Sequence, residues 1–150
     1  MTKLSKHFHD SEFKCPCCGK ITVSGTLVSK LQQLRDIIDE PIHITSGYWC
    51  LVENDKVGGS LNSAHLKGEG ADIQVKGWLP MPLAIIASKI NDIRIGIYPN
   101  HIHIDIVPPH PSKYWLVKSY GKKAIYSGNE NNLAKFLKDN LWGGNNDNIT

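Results

Sequence analysis

The run HIHIDIV, His101–Val107, is apolar at every second position, a period that fits a pleated strand and not a helix. Ile102, Ile104 and Ile106 share one face of such a strand. His101, His103 and Asp105 share the other, about 7 Å apart from one to the next. The fold must therefore supply an apolar layer on one side of this strand and a polar environment on the other. Three further segments repeat the alternation: IHIT (Ile42–Thr45), GADIQV (Gly70–Val75) and RIGIY (Arg94–Tyr98). In GADIQV, Ala71, Ile73 and Val75 face one way, and Asp72 faces the other beside Gly70 and Gln74. Two strands thus each offer ionisable side chains on one face.

Helices are legible between the strands. From Ser24 to Asp39, Leu27, Leu31, Leu34 and Ile38 recur at three- and four-residue steps, with Val28 and Ile37 widening the stripe. This predicts a core-facing helix ended by Pro41. A second helix is expected from about Pro82 through Ile90, and a third from about Glu130 to Leu141 carrying Leu133, Phe136 and Leu137 inward. The class is α+β, a small, mostly antiparallel sheet packed against helices. With 41% apolar residues in 150, the chain can bury one sizeable core. One domain is expected over residues 1–142, before a polar tail, GGNNDNIT (143–150), that should fray.

Seventeen basic against fourteen acidic residues give a formal charge of +3, too sparse for a dedicated nucleic-acid binder. Nowhere do about eighteen apolar residues follow one another, so no helical membrane insertion is expected. The opening MTKLSKHFHDSEFK lacks the apolar centre of a secretion signal, and the chain is expected to be made in the cytoplasm without one. Cys15, Cys17 and Cys18 cluster in CPCCG, with Cys50 downstream, but the two separated CxxC pairs of a zinc ribbon are missing. A structural zinc completed by His7 or His9, reduced thiols, and a disulfide to Cys50 all fit this spacing.

The stretch SAHLKGEGAD sets His65 and Asp72 seven positions apart. Gly68 and Gly70 let the backbone turn tightly enough for both side chains to reach one ion. With His103 they make three ligands of the His/Asp type, the number a catalytic zinc site uses when it leaves its fourth position to water. The competing reading is a loop histidine, a strand aspartate bonding a turn, and a histidine pair on a solvated sheet face.

Four segments together resemble a known family: SGYWC (46–50), VGGSLNSAHLKGEGADI (57–73), RIGIYPNHIHIDI (94–106) and HFHDSEFKCPCCG near the start. They are similar to the zinc D-alanyl-D-alanine carboxypeptidases and related phage endolysin peptidases of the hedgehog/DD-peptidase fold. The family pattern is SGYR, then SxHxxGxAxD, then HxD or HxH. The second motif is met at Ser63, His65, Gly68 and Asp72. The likeness spans roughly residues 4–107.

The resemblance implies one zinc ion per chain on His65, Asp72 and His103. The implied substrate is the stem peptide of bacterial peptidoglycan, cut next to a D-amino acid by a monomeric enzyme that reaches the wall after release, as phage or prophage lysins do. Zinc would polarise the scissile carbonyl and bring the pKa of its bound water to about 7. Trp49 and Ser63 would border the substrate, Asp105 would orient a neighbouring group, and His101 would shuttle a proton or steady the oxyanion. Two departures stand out. Relatives place Asp or Glu three residues before the last ligand histidine as general base, where this chain has Asn100. The arginine of SGYR, which holds a substrate carboxylate, is replaced by Trp49. Both fit a second class of function, a zinc-holding relative that binds cell-wall peptide or a protein partner without efficient hydrolysis.

Overall fold

A computed structural model of the protein describes residues 1–108, 113–127 and 132–142, so the tail expected to fray, 143–150, lies outside the described residues. Helix α1, Gly25–Ile38, buries Leu27, Val28, Leu31 and Leu34, the stripe its spacing predicts. It stops before Pro41, because Asp39 turns left-handed (φ 51°) and its N–H caps the Arg35 carbonyl. Helix α3, Pro80–Ala87, begins two residues earlier than Pro82. Pro80 takes the first helical position, where a missing N–H costs nothing. Helix α4, Leu133–Leu137, starts where the Asn132 side chain accepts from the Lys135 amide, then runs into a π-helical turn, Lys138–Trp142. Its expected beginning at Glu130 lies outside the described residues. A short helix, α2 (Leu51–Lys56), has no counterpart in the sequence reading: Leu51 and Val52 are exposed, and only Asn54 is buried.

Among the described residues six strands form one sheet in the order β1-β2-β4-β3-β5-β6. They are β1 (Ile42–Ser46), β2 (Gly70–Val75), β3 (Arg94–Ile97), β4 (Ile102–Asp105), β5 (Tyr114–Leu116) and β6 (Ile125–Tyr126). All neighbours are antiparallel except β3 and β5. The mixed fold class is the expected one, and the four alternating segments are its first four strands. Strands β5 and β6 are too short to show a period.

The pairing of β2 with β4 sets Asp72 opposite His103 and Gly70 opposite Asp105, while β3 sets Arg94 opposite Asp105 and Gly96 opposite His103. A slip of one residue would turn Asp72 and His103 into the core, so the isoleucines that bury the other face fix the register of the polar one. Ala71, Ile73, Ile95, Ile97, Ile102 and Ile104 join one apolar cluster with Leu27, Leu31 and Leu34 of α1, Leu83 and Ala87 of α3, and Phe136 of α4. A Cβ at Gly96 would run into the Trp115 indole, so glycine here lets Trp115 lie across the polar face. Among the described residues no helix is long and apolar enough to cross a membrane.

Candidate metal centre

His65 is carried by a single 3-10 turn, Ala64–Lys67, inserted before β2. Ser63 starts the turn, its Oγ accepting from the His65 amide at 3.3 Å. Gly68 ends it in the left-handed region (φ 66°), where a Cβ would also strike the Thr22 backbone. The Ser24 amide donates to the Gly68 carbonyl (2.8 Å) and the Trp49 amide to the His65 carbonyl (3.1 Å), which fastens the turn to α1 and to the segment after β1. A register shift between Ile44 and Ser46 re-aims the end of β1 and brings Gly47 under His65.

His65, Asp72 and His103 meet below the cleft floor, at 3%, 8% and 7% exposure. The Asp72 Oδ1 lies 3.2 Å from His65 Nε2 and 2.9 Å from His103 Nδ1. The ligand atoms of the three residues all lie within 4.8 Å of one another. The opposite nitrogen of each imidazole is engaged: His65 Nδ1 donates to the Gly47 carbonyl (2.6 Å) and His103 Nε2 to Asp105 Oδ2 (2.8 Å). These acceptors select the tautomers that turn one lone pair from each ring toward the Asp72 oxygen. Two imidazole lone pairs and a carboxylate oxygen so close, and so buried, require a proton or a cation among them.

The electrostatics agree. Burial works against ionisation of Asp72, yet the His103 and His65 rings beside it, once a proton is shared among the three groups, hold its carboxyl well below the usual range. Burial likewise opposes charge on His103, but Asp105 and Asp72 outweigh it and raise the imidazole to about 9. The locus stabilises positive charge, which a divalent ion would supply as a proton leaves. An N/N/O donor set with both rings fixed from behind fits zinc.

Asp105 is fully buried, at the floor of the cleft. It accepts two bonds from the Arg94 guanidinium, at Nε and NH2 (2.8 Å each), and one from the Val107 amide (3.2 Å). Burial opposes its charge, but His103 and Arg94 bring its carboxyl down to about 2. Gly70, opposite it, has no room for a side chain: a Cβ would sit 2.8 Å from Ala64 Cβ and 3.0 Å from His103 Cε1.

His101 reaches the same locus from the edge of β4, its Nε2 lying 3.7 Å from Asp72 Oδ2. Its Nδ1 is 2.8 Å from the Asn100 Oδ1, and its ring stacks on Tyr98 with centroids 4.5 Å apart. Asn100 is itself held: its Oδ1 also accepts from the Tyr120 hydroxyl and its carbonyl from Gln74 Nε2 (2.7 Å). An Asn oxygen can only accept, so Nδ1 of neutral His101 carries the proton and Nε2 presents a lone pair to the centre. Burial keeps the His101 pKa below its ordinary value.

A cleft of ≈ 650 Å³ opens over these groups, walled by Trp49, Tyr98, Trp115, Tyr120 and Tyr126 and bordered by Ser63. Trp49 stacks on the His65 imidazole with centroids 3.8 Å apart and an interplanar angle of 22°. It is therefore neither a core residue nor a stand-in for a cation. Arg94 is the one arginine or lysine among the described residues of the lining, and Asp105 already engages it. Sequence reasoning missed Gly47, Tyr98 and Tyr120. Their parts depend on a backbone carbonyl, a stacking contact and a loop, none of which leaves a periodic signal.

The family model for peptidase M15 matches residues 6–105, a span that holds His65, Asp72, His101, His103 and Asp105. Over 95 residues the chain is 30% identical to the zinc D-Ala-D-Ala carboxypeptidase of Streptomyces albus G, an alignment covering 61% of this chain and 37% of that protein. The chain thus spans well under half the length of this relative.

Proposed function

Because the chain belongs to the peptidase M15 family, we propose that it is a zinc peptidase that hydrolyses peptidoglycan stem peptides at a bond next to a D-amino acid. The observation that carries this reading is the convergence of His65 Nε2, Asp72 Oδ1 and His103 Nδ1, with each imidazole locked from behind and the group open to a cleft. Those three side chains would hold one catalytic zinc, which supplies Lewis-acid polarisation of the scissile carbonyl and a lowered pKa for water. His101 Nε2 would take the proton of the attacking water and deliver it to the leaving amine. Asn100 would serve this base by accepting its Nδ1–H, so the amide in the family's carboxylate position gains a positioning role. The Tyr98 ring and the Tyr120 hydroxyl would keep His101 and Asn100 in place. Asp105 would act through His103, fixing its tautomer and making it a stronger ligand.

With Trp49 where the pattern has arginine, and Arg94 engaged by Asp105, the cleft lacks a free guanidinium for a terminal carboxylate. This favours cleavage of internal stem-peptide bonds over removal of a C-terminal residue, with aromatic walls holding the peptide by apolar contact. The test is to incubate zinc-loaded protein with purified peptidoglycan and read the products by mass spectrometry. New ends next to D-residues are expected. Intact peptidoglycan in the presence of stoichiometrically loaded protein would refute hydrolysis and leave a binding protein.

A further inference from the structure

A second group of metal-ligand side chains lies outside this centre. The sulfurs of Cys15, Cys18 and Cys50 all fall within 4.8 Å of one another, and Cys17 is their neighbour in the CPCCG turn. In a tetrahedral zinc–thiolate site with bonds of about 2.3 Å, the sulfurs stand about 3.8 Å apart, so a small contraction closes these three around an ion, and a turn of the exposed Cys17 side chain would supply the fourth thiolate. A disulfide would join two of these sulfurs and leave the others facing it. The backbone is arranged around sulfur as well. Cys15 to Lys20 form a tight turn, with the Cys15 amide on the Lys20 carbonyl (2.9 Å) and the Gly19 amide on the Cys15 carbonyl (3.0 Å). Gly19 is left-handed (φ 74°), which aims the chain back so that the Lys20 amide points at Cys18 Sγ (3.5 Å). From the other segment, the Cys50 amide points at Cys15 Sγ (3.4 Å). Amides directed at sulfur are the outer bonds that thiolate ligands need. Neither His7, whose ring is bonded to Gln32, nor His9 joins this group of side chains.

We infer that Cys15, Cys17, Cys18 and Cys50 form a second metal site, structural and closed, for a soft divalent ion of the zinc type. Four thiolates suit such an ion and exclude the hard cations that prefer oxygen. The site joins the segment before α1 to the segment after β1, where apart from sulfur the Tyr48 amide on the Phe13 carbonyl (2.9 Å) provides a link. That second segment carries Gly47, whose carbonyl holds His65 Nδ1, and Trp49, whose indole stacks on the same ring. The thiolate site would therefore clamp the support of the His65 ligand. This last link rests on the proposed function; the cysteine site does not.

The test is the zinc content of the full chain, purified with reductant and without chelator, measured by plasma mass spectrometry. About two ions per chain are expected. Cys18→Ser, at an exposed position, should lower the count to about one, as should His65→Ala, and the double variant should hold almost none. Cobalt(II) exchanged into the metal-free protein should give a thiolate-to-metal charge-transfer band that persists in His65→Ala and disappears in Cys18→Ser. Retention of zinc by His65→Ala together with its loss in Cys18→Ser, from a wild type holding a single ion, would support the thiolate site and remove the histidine one. A single ion in the wild type unaffected by Cys18→Ser, the absence of the cobalt band, or only two titratable thiols after metal removal, as a disulfide leaves, would each overturn the inference.

Discussion

Asp105→Asn isolates what the buried carboxylate does for the centre without changing its shape. Asp105 has no exposure, and its charge is balanced by Arg94 through two bonds of 2.8 Å. Removing the charge leaves the Arg94 guanidinium, 18% exposed, without its partner. Breaking a buried pair in this way costs about 3–5 kcal/mol. The amide can also present its NH2 to His103 Nε2, which favours the wrong tautomer and turns the N–H toward the ligand position at Nδ1. Loss of such an outer bond lowers metal affinity about 10–100-fold, or about 1.4–2.7 kcal/mol. Zinc competition against a chromophoric chelator reads the second effect, and urea unfolding of the metal-free protein reads the first. Arg94→Met separates the two: it should lose stability while His103 keeps its acceptor, so its zinc affinity should fall much less than that of Asp105→Asn. Equal zinc affinity in wild type and Asp105→Asn would refute the claim that Asp105 works through His103.

Other outcomes follow from the same geometry. His101→Ala should keep its zinc and lose about 10²–10⁴-fold in turnover; unchanged turnover in a zinc-loaded variant would exclude His101 as base. In the wild type, activity should be lost as pH falls through the His101 pKa, which burial holds below the ordinary imidazole value, because the protonated ring cannot accept. Asn100→Asp should raise activity and move this acid limb to higher pH, since a carboxylate on Nδ1 favours the charged imidazole; a limb that stays in place would detach Asn100 from the base. Gly70→Ala should destabilise the fold by about 1–3 kcal/mol and weaken zinc binding, its Cβ pressing on Ala64 and on His103 Cε1; wild-type unfolding and zinc affinity would show that the strands part without cost. Trp49→Arg should increase cleavage of peptides with a free terminal carboxylate relative to the same peptides amidated. A wild type that already prefers the free acid by tenfold or more would mean that a carboxylate clamp exists elsewhere.

Period-two alternation gave the strands that matter because their two faces meet different demands. The isoleucines of β2, β3 and β4 must all reach one core, and that alone sends Asp72, His103 and Asp105 to the other side. The same logic fails for α2, whose Leu51 and Val52 are exposed, and for β5 and β6, where three and two residues cannot display a period. Helix ends were legible to within a few residues, since caps depend on single backbone angles such as that of Asp39. What no local pattern contains is the strand order. Asp72 and His103 become neighbours because β4 inserts between β2 and β3, a pairing across thirty-one positions.

Asn100 shows most clearly how position and environment differ as sources of inference. Read by its distance from His103 along the chain, it is a missing carboxylate, and the site lacks a base. In space it is an acceptor, held by Tyr120 and Gln74 from sequence-distant elements, that fixes which nitrogen of His101 is free. The role proposed for the absent acid thus passes to the next residue, and the amide that excludes one mechanism supplies the orientation another requires. Arg94 shows the converse. As the arginine of the cleft lining it could replace the missing SGYR cation, but the register that puts it opposite Asp105 engages its guanidinium in supporting His103. A cation engaged in this way is unavailable to a substrate carboxylate, so the same pairing that strengthens the metal centre also argues for internal bonds as its target.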